Sequence, residues 1–346
     1  MISQDRTSAV AVAHPNIAFI KYWGNRDDSL HLPSTGSISM TLDRLFTITR
    51  LELDTRLDHD QLMLNHQPAP EPSRLRVQQF LDIFRKKCNT PIYCKVESIN
   101  NFPTASGIAS SASAFAALTV AASHVYSLNL SMTELSTIAR RGSGSACRSI
   151  SGGFVEWYPG EDDVTSYAET IAPPRHWQLS DCIAVVSNRP KTISSQQGHR
   201  SAHTSPLQQV RISTAPERLK RCRAAILNRD FEALAEVVEL DSNIMHAVMM
   251  TSHPPLLYWA PETLFLMQNI IEWRREGMQV CYTIDAGANV HVICPSEQEE
   301  QVCRLLKSLP PVIQVIAAPV GGSARLVEPT ESANLFDFPK GHHLLP

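Results

Sequence analysis

Three stretches of the 346-residue chain carry side chains that could do chemistry, the first two suited to anionic groups and the third to proton transfer. The first is PTASGIASSAS at residues 103–113, a glycine- and serine-rich run that leads into an apolar helical stretch. Free N–H groups at a helix N-terminus, close backbone approach at Gly107 and the hydroxyls of Ser106, Ser110 and Ser111 together suit a nucleotide phosphate. An ordinary serine-capped helix accounts for the same residues, and no lysine of the Walker type follows the glycine. The second is RGSGSACR at 141–148, followed by SGG at 151–153, which sets hydroxyls between two arginines. Arginine pairs bidentately with phosphate or carboxylate, so this set suits a substrate with its own anionic groups. A tight turn explains Gly142 and Gly144 but not the serines between them. The third is Asp285, ahead of Gly287 in YTIDAGANV at 282–290, a carboxylate placed to face a cleft or to bond backbone in a turn.

These residues need elements to position them. Alternation predicts strands at 38–42, 45–49 and 92–96, and helical spacing marks 75–88. Residues 107–125 read as a buried helix of small residues. After the pair Pro173-Pro174 the pattern restarts with a strand at 182–187 and helices at 217–227, 231–248 and 261–275. Strands at 280–284 and 290–294, a helix at 297–306 and a strand at 312–317 follow, and the tail after Glu328 reads as irregular. A boundary near residue 175 divides the chain into lobes of 1–175 and 176–346.

A hydrophobic content of 43% fills a sizeable core. The 31 basic and 34 acidic residues form no long blocks, which argues against a nucleic-acid or membrane partner and for a small-molecule substrate. Eight cysteines without CxxC or metal spacing read as buried reduced thiols, and no metal site built from protein ligands is assigned. No leader pattern opens the sequence and no apolar run reaches bilayer length, so a cytosolic location is expected. His14, His199, His203, His246 and His291 read as structural or surface residues, and Trp23 and Trp157 as packing.

Five segments in order, AHPNIAFIKYWGNRD (13–27), NNFPTASGIASSASAFAA (100–117), RRGSGSACRSISGGFVEW (140–157), DSNIMHA (241–247) and YTIDAGANV, resemble the mevalonate diphosphate decarboxylase family. The resemblance implies an α+β GHMP-kinase fold: an N-terminal lobe like ribosomal protein S5 domain 2, a C-terminal α/β sandwich lobe and a cleft between them. It implies that ATP phosphorylates a tertiary alcohol, after which phosphate and carbon dioxide leave, and that the protein is a homodimer. By this resemblance Asp285, Arg148 and Lys21 are catalytic, with Asp285 acting on the substrate's C3 hydroxyl. Asn16, Tyr22, Asn25, Ser143, Gly144, Ser145, Arg148, Ser195 and Gln196 match substrate contacts. Pro103, Ser106, Gly107, Ala109, Ser110 and Ser111 match the ATP phosphate loop, with Mg2+ bridging ATP oxygens.

The chain departs from the family's pattern at three positions. Asn25 stands where a lysine follows Tyr-Trp-Gly, and Gln196 where an arginine follows the serine pair, so two cations facing the terminal phosphate are missing. A charged hydrogen bond is worth roughly 1.5–3 kcal/mol, and the loss favours mevalonate 5-phosphate, giving isopentenyl phosphate, over the diphosphate. Compensation by Arg26, Lys191, His199 or Arg200 would instead keep the diphosphate as substrate. Ala288 replaces a proline after Gly287 and leaves that loop less rigid. A kinase that stops at the phosphorylated alcohol, or a silent binding module, is disfavoured by the presence of Asp285, Arg148 and the serine run together.

Overall fold

The computed structural model describes residues 7–102, 110–188 and 193–328, apart from the side chain of Gln196. The first sheet centres on Thr47–Asp54, paired antiparallel with Ser8–Ala13 on one side and Tyr93–Asn100 on the other. Helices α1 (Glu71–Cys88), α2 (Ser110–Val125) and α3 (Met132–Gly142) cover it. Fully buried Ala116, Ala117, Ala121 and Ala122 let α2 lie close to the strands, while Phe80, Phe84 and Phe115 fill the space beside them. Ser113 Oγ meets Thr47 Oγ1 at 2.6 Å and pins the start of α2 to the sheet. Ser131 and Glu134 form a capping box at the start of α3.

A second sheet runs Ala168–Ala172, Phe154–Trp157, Ser37–Thr41, Asn16–Ile20. Its strands are buried almost throughout, because one further layer presses on them. That layer contains α5 (Gln208–Asn228), α6 (Phe231–Thr251) and the inner face of a third sheet, Cys281–Thr283, Val290–Pro295, Leu179–Val185, Gln314–Pro319. The short α4 (Ser195–Ser201), capped by Ser194 and Gln197, precedes α5. On its other face the third sheet packs against α7 (Pro261–Arg275) and α8 (Glu299–Ser308).

Most expected elements are present, with two informative differences. Helix α5 starts at Gln208 rather than at 217 and carries Pro216 inside it. Its early inward face is Gln208, Arg211 and Ala215, so a polar face hides the helical period there. Strands Ser8–Ala13 and Asn16–Ile20 have no expected counterpart, and the second is covered on both faces and shows no alternation. The expected lobe boundary at 175 falls between the strands Ala168–Ala172 and Leu179–Val185. Arg325–Leu326 nevertheless pairs with Ser8–Ala13, so the late chain contributes a strand to the first sheet. Among the described residues no helix is long and apolar enough to cross a membrane.

A methyl group added at Gly142 would overlap the ring of Phe115, where α3 meets α2. Overpacking of this kind costs about 1–3 kcal/mol, so Gly142→Ala should lower the urea midpoint without changing the slope. An unchanged midpoint would show that this contact is slack.

Candidate active site

The strand Asn16–Ile20 ends at the second sheet's edge, and the next residue turns inward. Lys21 is 1% exposed, and its Nζ donates to Asp285 Oδ1 at 2.6 Å across 264 residues of sequence. Asp285 stands past the end of Cys281–Thr283 with 28% of its side chain exposed, so the carboxylate is held by Lys21 yet partly accessible. Its approach is fixed by Ile284, whose N–H donates to Ser242 Oγ at 3.0 Å and whose carbonyl accepts from His246 Nε2 at 3.2 Å. Asp285's own carbonyl accepts from Gly287 N–H at 2.7 Å. The loop beyond is tied despite Ala288, whose carbonyl accepts the Thr263 hydroxyl at 2.6 Å. Asn289 Oδ1 also takes the N–H groups of Val186 and Ser187. The looser loop expected from the missing proline is therefore replaced by a side-chain-bonded one.

Arg148 lies in the turn Gly144–Ser149 and is 3% exposed. It donates to Ser37 Oγ at 2.6 Å and, through Nε and Nη2, to Asn16 Oδ1 at 3.2 and 3.1 Å. Asn16 Nδ2 donates to Ser149 Oγ at 2.7 Å and to the Ser145 carbonyl at 3.2 Å. The Asn16 amide thus orients the guanidinium, as well as bonding local backbone. Among the described residues no carboxylate comes within ion-pair distance of Arg148, and burial pulls its pKa below the usual range. A buried cation held only by neutral acceptors is complementary to an anion brought by a ligand.

Tyr22 closes the same wall. Its ring packs 4.7 Å from Trp157 and 4.1 Å from His199, and a methyl at Gly144 would meet it at 2.6 Å. Burial pushes the phenol well above its ordinary pKa, and its OH donates to Asn25 Oδ1 at 2.5 Å. Ser143 Oγ lies 3.2 Å from Ser111 Oγ, which brings the two serine runs side by side. Ser110 and Ser111 begin α2, whereas Pro103, Ser106, Gly107 and Ala109 lie outside the described residues. Ser195 opens α4, four residues before His199, and the Gln196 side chain is outside the description. Trp23 and Trp157 are buried packing residues.

Position 25 adjoins a cavity that also carries a cationic side chain. Asn25 Nδ2 donates to Asp28 at 2.8 Å, and a cavity of about 360 Å³ beside it is walled by Asn25, Asp28, His199, Arg200 and His203. Of the compensating candidates, Arg26 turns away to the Pro159 carbonyl and Lys191 is outside the described residues. His199 accepts the Gly24 N–H on Nδ1, and burial pulls its pKa down to about 3, so it is neutral. Arg200 remains, 3.8 Å from Asp28 on the cavity wall. The residues that sequence reasoning left without a role are Ser37 and Ser149, which hold the Arg148–Asn16 pair, Arg211 and Asp241, which hold the backbone of Lys21, and Arg218, which holds Asp241. The only signal for the last group was Asp241 at the head of DSNIMHA.

Two family models cover most of the chain: the diphosphomevalonate decarboxylase-like N-terminal domain over residues 13–168 and the mevalonate 5-diphosphate decarboxylase C-terminal domain over 182–334. The diphosphomevalonate decarboxylase of Candida albicans is 39% identical over 86% of this chain and 87% of its own length. The human diphosphomevalonate decarboxylase is 38% identical over 84% and 77%. The solved mevalonate diphosphate decarboxylase of Staphylococcus aureus superposes with a TM-score of 0.87 at 35% identity, covering 93% of this chain and 98% of that one. A further solved structure with TM-score 0.87 and 36% identity, covering 93% and 99%, is a complex with MVAPP, AMPPCP and magnesium. The two-lobed GHMP-kinase-type fold implied by the resemblance is the fold these structures share with this chain. The relatives act on the diphosphate, so the comparisons support the diphosphate alternative and give the monophosphate reading no support. Arg200, 3.8 Å from Asp28, lines the same cavity as Asn25.

Several histidines around the site are neutral because burial disfavours the imidazolium: His246 and His31 are pulled down to about 4. An unfolded histidine titrates near pH 6.5. Below that value the unfolded chain takes up protons that the folded chain refuses, so stability present above pH 6.5 is lost as pH falls toward the folded values. The slope is about 1.4 kcal/mol per pH unit for each histidine. Asp181, pushed up by burial, works in the opposite sense, so a variant isolates the effect. Urea unfolding between pH 6.5 and 5 should lose about one proton's worth of slope in His246→Gln, and an unaltered slope would exclude a neutral buried histidine there.

Proposed function

The chain belongs to the diphosphomevalonate decarboxylase family, and on that premise we propose that it is an ATP-dependent decarboxylase converting mevalonate 5-diphosphate to isopentenyl diphosphate. The observation that carries the reading is the pairing of Lys21 with a partly exposed Asp285 near a buried Arg148 that, among the described residues, has no carboxylate in ion-pair distance. Asp285 receives the C3 hydroxyl proton while the oxygen attacks the γ-phosphorus of ATP and the bond to ADP breaks. Lys21 Nζ, 2.6 Å away, fixes the direction of that carboxylate and offsets negative charge that develops beside it during the transfer. Arg148 holds the substrate carboxylate. When the C3–O bond breaks and inorganic phosphate leaves, the electron pair of the C1–C2 bond forms the new double bond, and carbon dioxide is released.

Ser110 and Ser111 at the N-terminus of α2, with Pro103, Ser106, Gly107 and Ala109, are assigned to the ATP phosphates, and Ser143 and Ser145 to the substrate side. Tyr22, Gly144, Ser195 and Gln196 are assigned to the substrate's phosphorylated arm, with Asn25 and Arg200 toward its end. The donor set suits magnesium carried by the nucleotide: the hydroxyls of Ser110 and Ser111 adjoin the helix start, and among the described residues no three His, Cys, Asp or Glu converge. Bound there, the ion would neutralise phosphate charge during transfer. The lobe division near 175 is consistent with family models ending at 168 and starting at 182. A homodimer rests on the family resemblance alone. Eight unpaired cysteines fit a reducing compartment such as the cytosol.

Purified protein given ATP, Mg2+ and mevalonate 5-diphosphate should release carbon dioxide and ADP one for one, with a higher kcat/KM than on mevalonate 5-phosphate. ADP without carbon dioxide would reduce the protein to a kinase. Asp285→Asn should lower kcat by about 10²–10⁴-fold, the range of general acid–base catalysis, and near-normal turnover would remove Asp285 from its role.

A further inference from the structure

We infer that Asp241, with Arg211 and Arg218, is a positioning unit that sets Lys21 against Asp285, an assignment that rests on the function proposed above. The hydrogen-bonded ladder of Asn16–Ile20 with its neighbour ends at the Ile20–Ile38 pair. Beyond it the backbone of residues 21–23 has no strand beside it, and buried peptide groups there must find other partners. Side chains from two helices supply them. Asp241 Oδ2, fully buried on α6, accepts the Lys21 N–H at 2.7 Å across 220 residues. Arg211 on α5 donates through Nη2 to the Lys21 carbonyl at 2.6 Å and through Nη1 to the Trp23 carbonyl at 3.0 Å. Gln208 Nε2 adds a second donor to Trp23 at 3.2 Å. Arg218 completes the unit, giving Nε to Asp241 Oδ1 at 2.6 Å and Nη2 to the Arg211 carbonyl at 2.9 Å.

Both peptide groups of Lys21 are therefore held by the same helical layer that packs behind Asp285. Helix α6 carries Asp241 and, one residue on, Ser242, whose hydroxyl accepts the Ile284 N–H at 3.0 Å. One turn of α6 thus fixes the backbone beside each partner of the Lys21–Asp285 contact. The consequence is a pair assembled in advance of nucleotide, so closure of the lobes is not needed to bring these two groups together. A lysine side chain carries about 2 kcal/mol of rotamer entropy, and anchoring its Cα removes one source of error in where Nζ arrives. Misplacement of a catalytic group by about 1 Å can cost on the order of 10²-fold in rate.

A merely structural ion pair would affect folding and nothing else. The isosteric Asp241→Asn, assayed where circular dichroism shows it folded, should lower kcat about 10- to 100-fold with KM for ATP within about twofold, because Ser110 and Ser111 of the ATP run stand on α2 rather than on α5 or α6. A folded variant with reduced thermal stability and unchanged kcat would overturn the inference. If Asp241→Asn does not fold, Arg211→Lys keeps the charge but cannot reach both carbonyls, and a severalfold loss of kcat is expected; unchanged kcat would again overturn it. Acylation of lysines followed by peptide mass spectrometry gives a readout independent of turnover. Lys21 should be protected in the wild type and labelled in either folded variant while the other lysines keep their pattern. Equal protection of Lys21 would refute the positioning role even if the wild type proved inactive on every mevalonate phosphate, an outcome that would defeat the proposed reaction separately.

Discussion

A lysine ammonium withdrawn from water is tolerable only where a partner stands ready, and this constraint organises the centre of the molecule. Lys21 finds that partner in Asp285, 2.6 Å away. The desolvation of such a pair costs several kcal/mol per ion unless geometry and further hydrogen bonds offset it. The geometry comes from three places at once: the end of a buried strand, the Ser242-braced approach to Asp285, and the Asp241–Arg218–Arg211 network. Each contributes from a different part of the chain. The second sheet, the third sheet, α5 and α6 must therefore share one core for any of the bonds to exist.

Around that pair the field is arranged for anions. Arg148 is buried and held by Ser37 and Asn16, neutral groups that fix its direction without cancelling its charge. The histidines nearby stay neutral through burial, so the positive charge comes from groups that do not titrate near neutrality. The serine runs meet through Ser111 and Ser143, joining the start of α2 to the turn that carries Arg148. Two anionic ligands, one on each side of this contact, account for the layout better than one. The same packing explains the small residues: Gly144 admits the ring of Tyr22, and Gly142 admits that of Phe115.

Much of this was legible in the sequence where local chemistry leaves a local mark. The helix α7 begins and ends where its spacing predicts, at Pro261 and Arg275, since its inward face is apolar and its first residue is a proline. Asp285 at a strand end, the Ser-Gly run around Arg148 and the serine start of α2 were likewise visible as residue types in order. The first half of α5 was not, because it faces inward with Gln208 and Arg211, and a polar inner face has no hydrophobic period. Asn16–Ile20 was missed for the converse reason, since burial on both sides erases alternation.

The amino-acid sequence by itself determined which chemical groups were available and, by the order of its motifs, which family of folds they belong to. Only the tertiary structure decided which of them meet. That Lys21 touches Asp285, that Asn16 holds Arg148, and that Arg200 lines the same cavity as Asn25 are relations across long separations. Hydrogen bonds and ion pairs act over a few ångströms, whereas spacing in sequence reports only neighbours along one strand or helix. The number of phosphates on the substrate could not be read from Asn25 and Gln196 alone, because a cation can come from any segment that folds back to the same cavity.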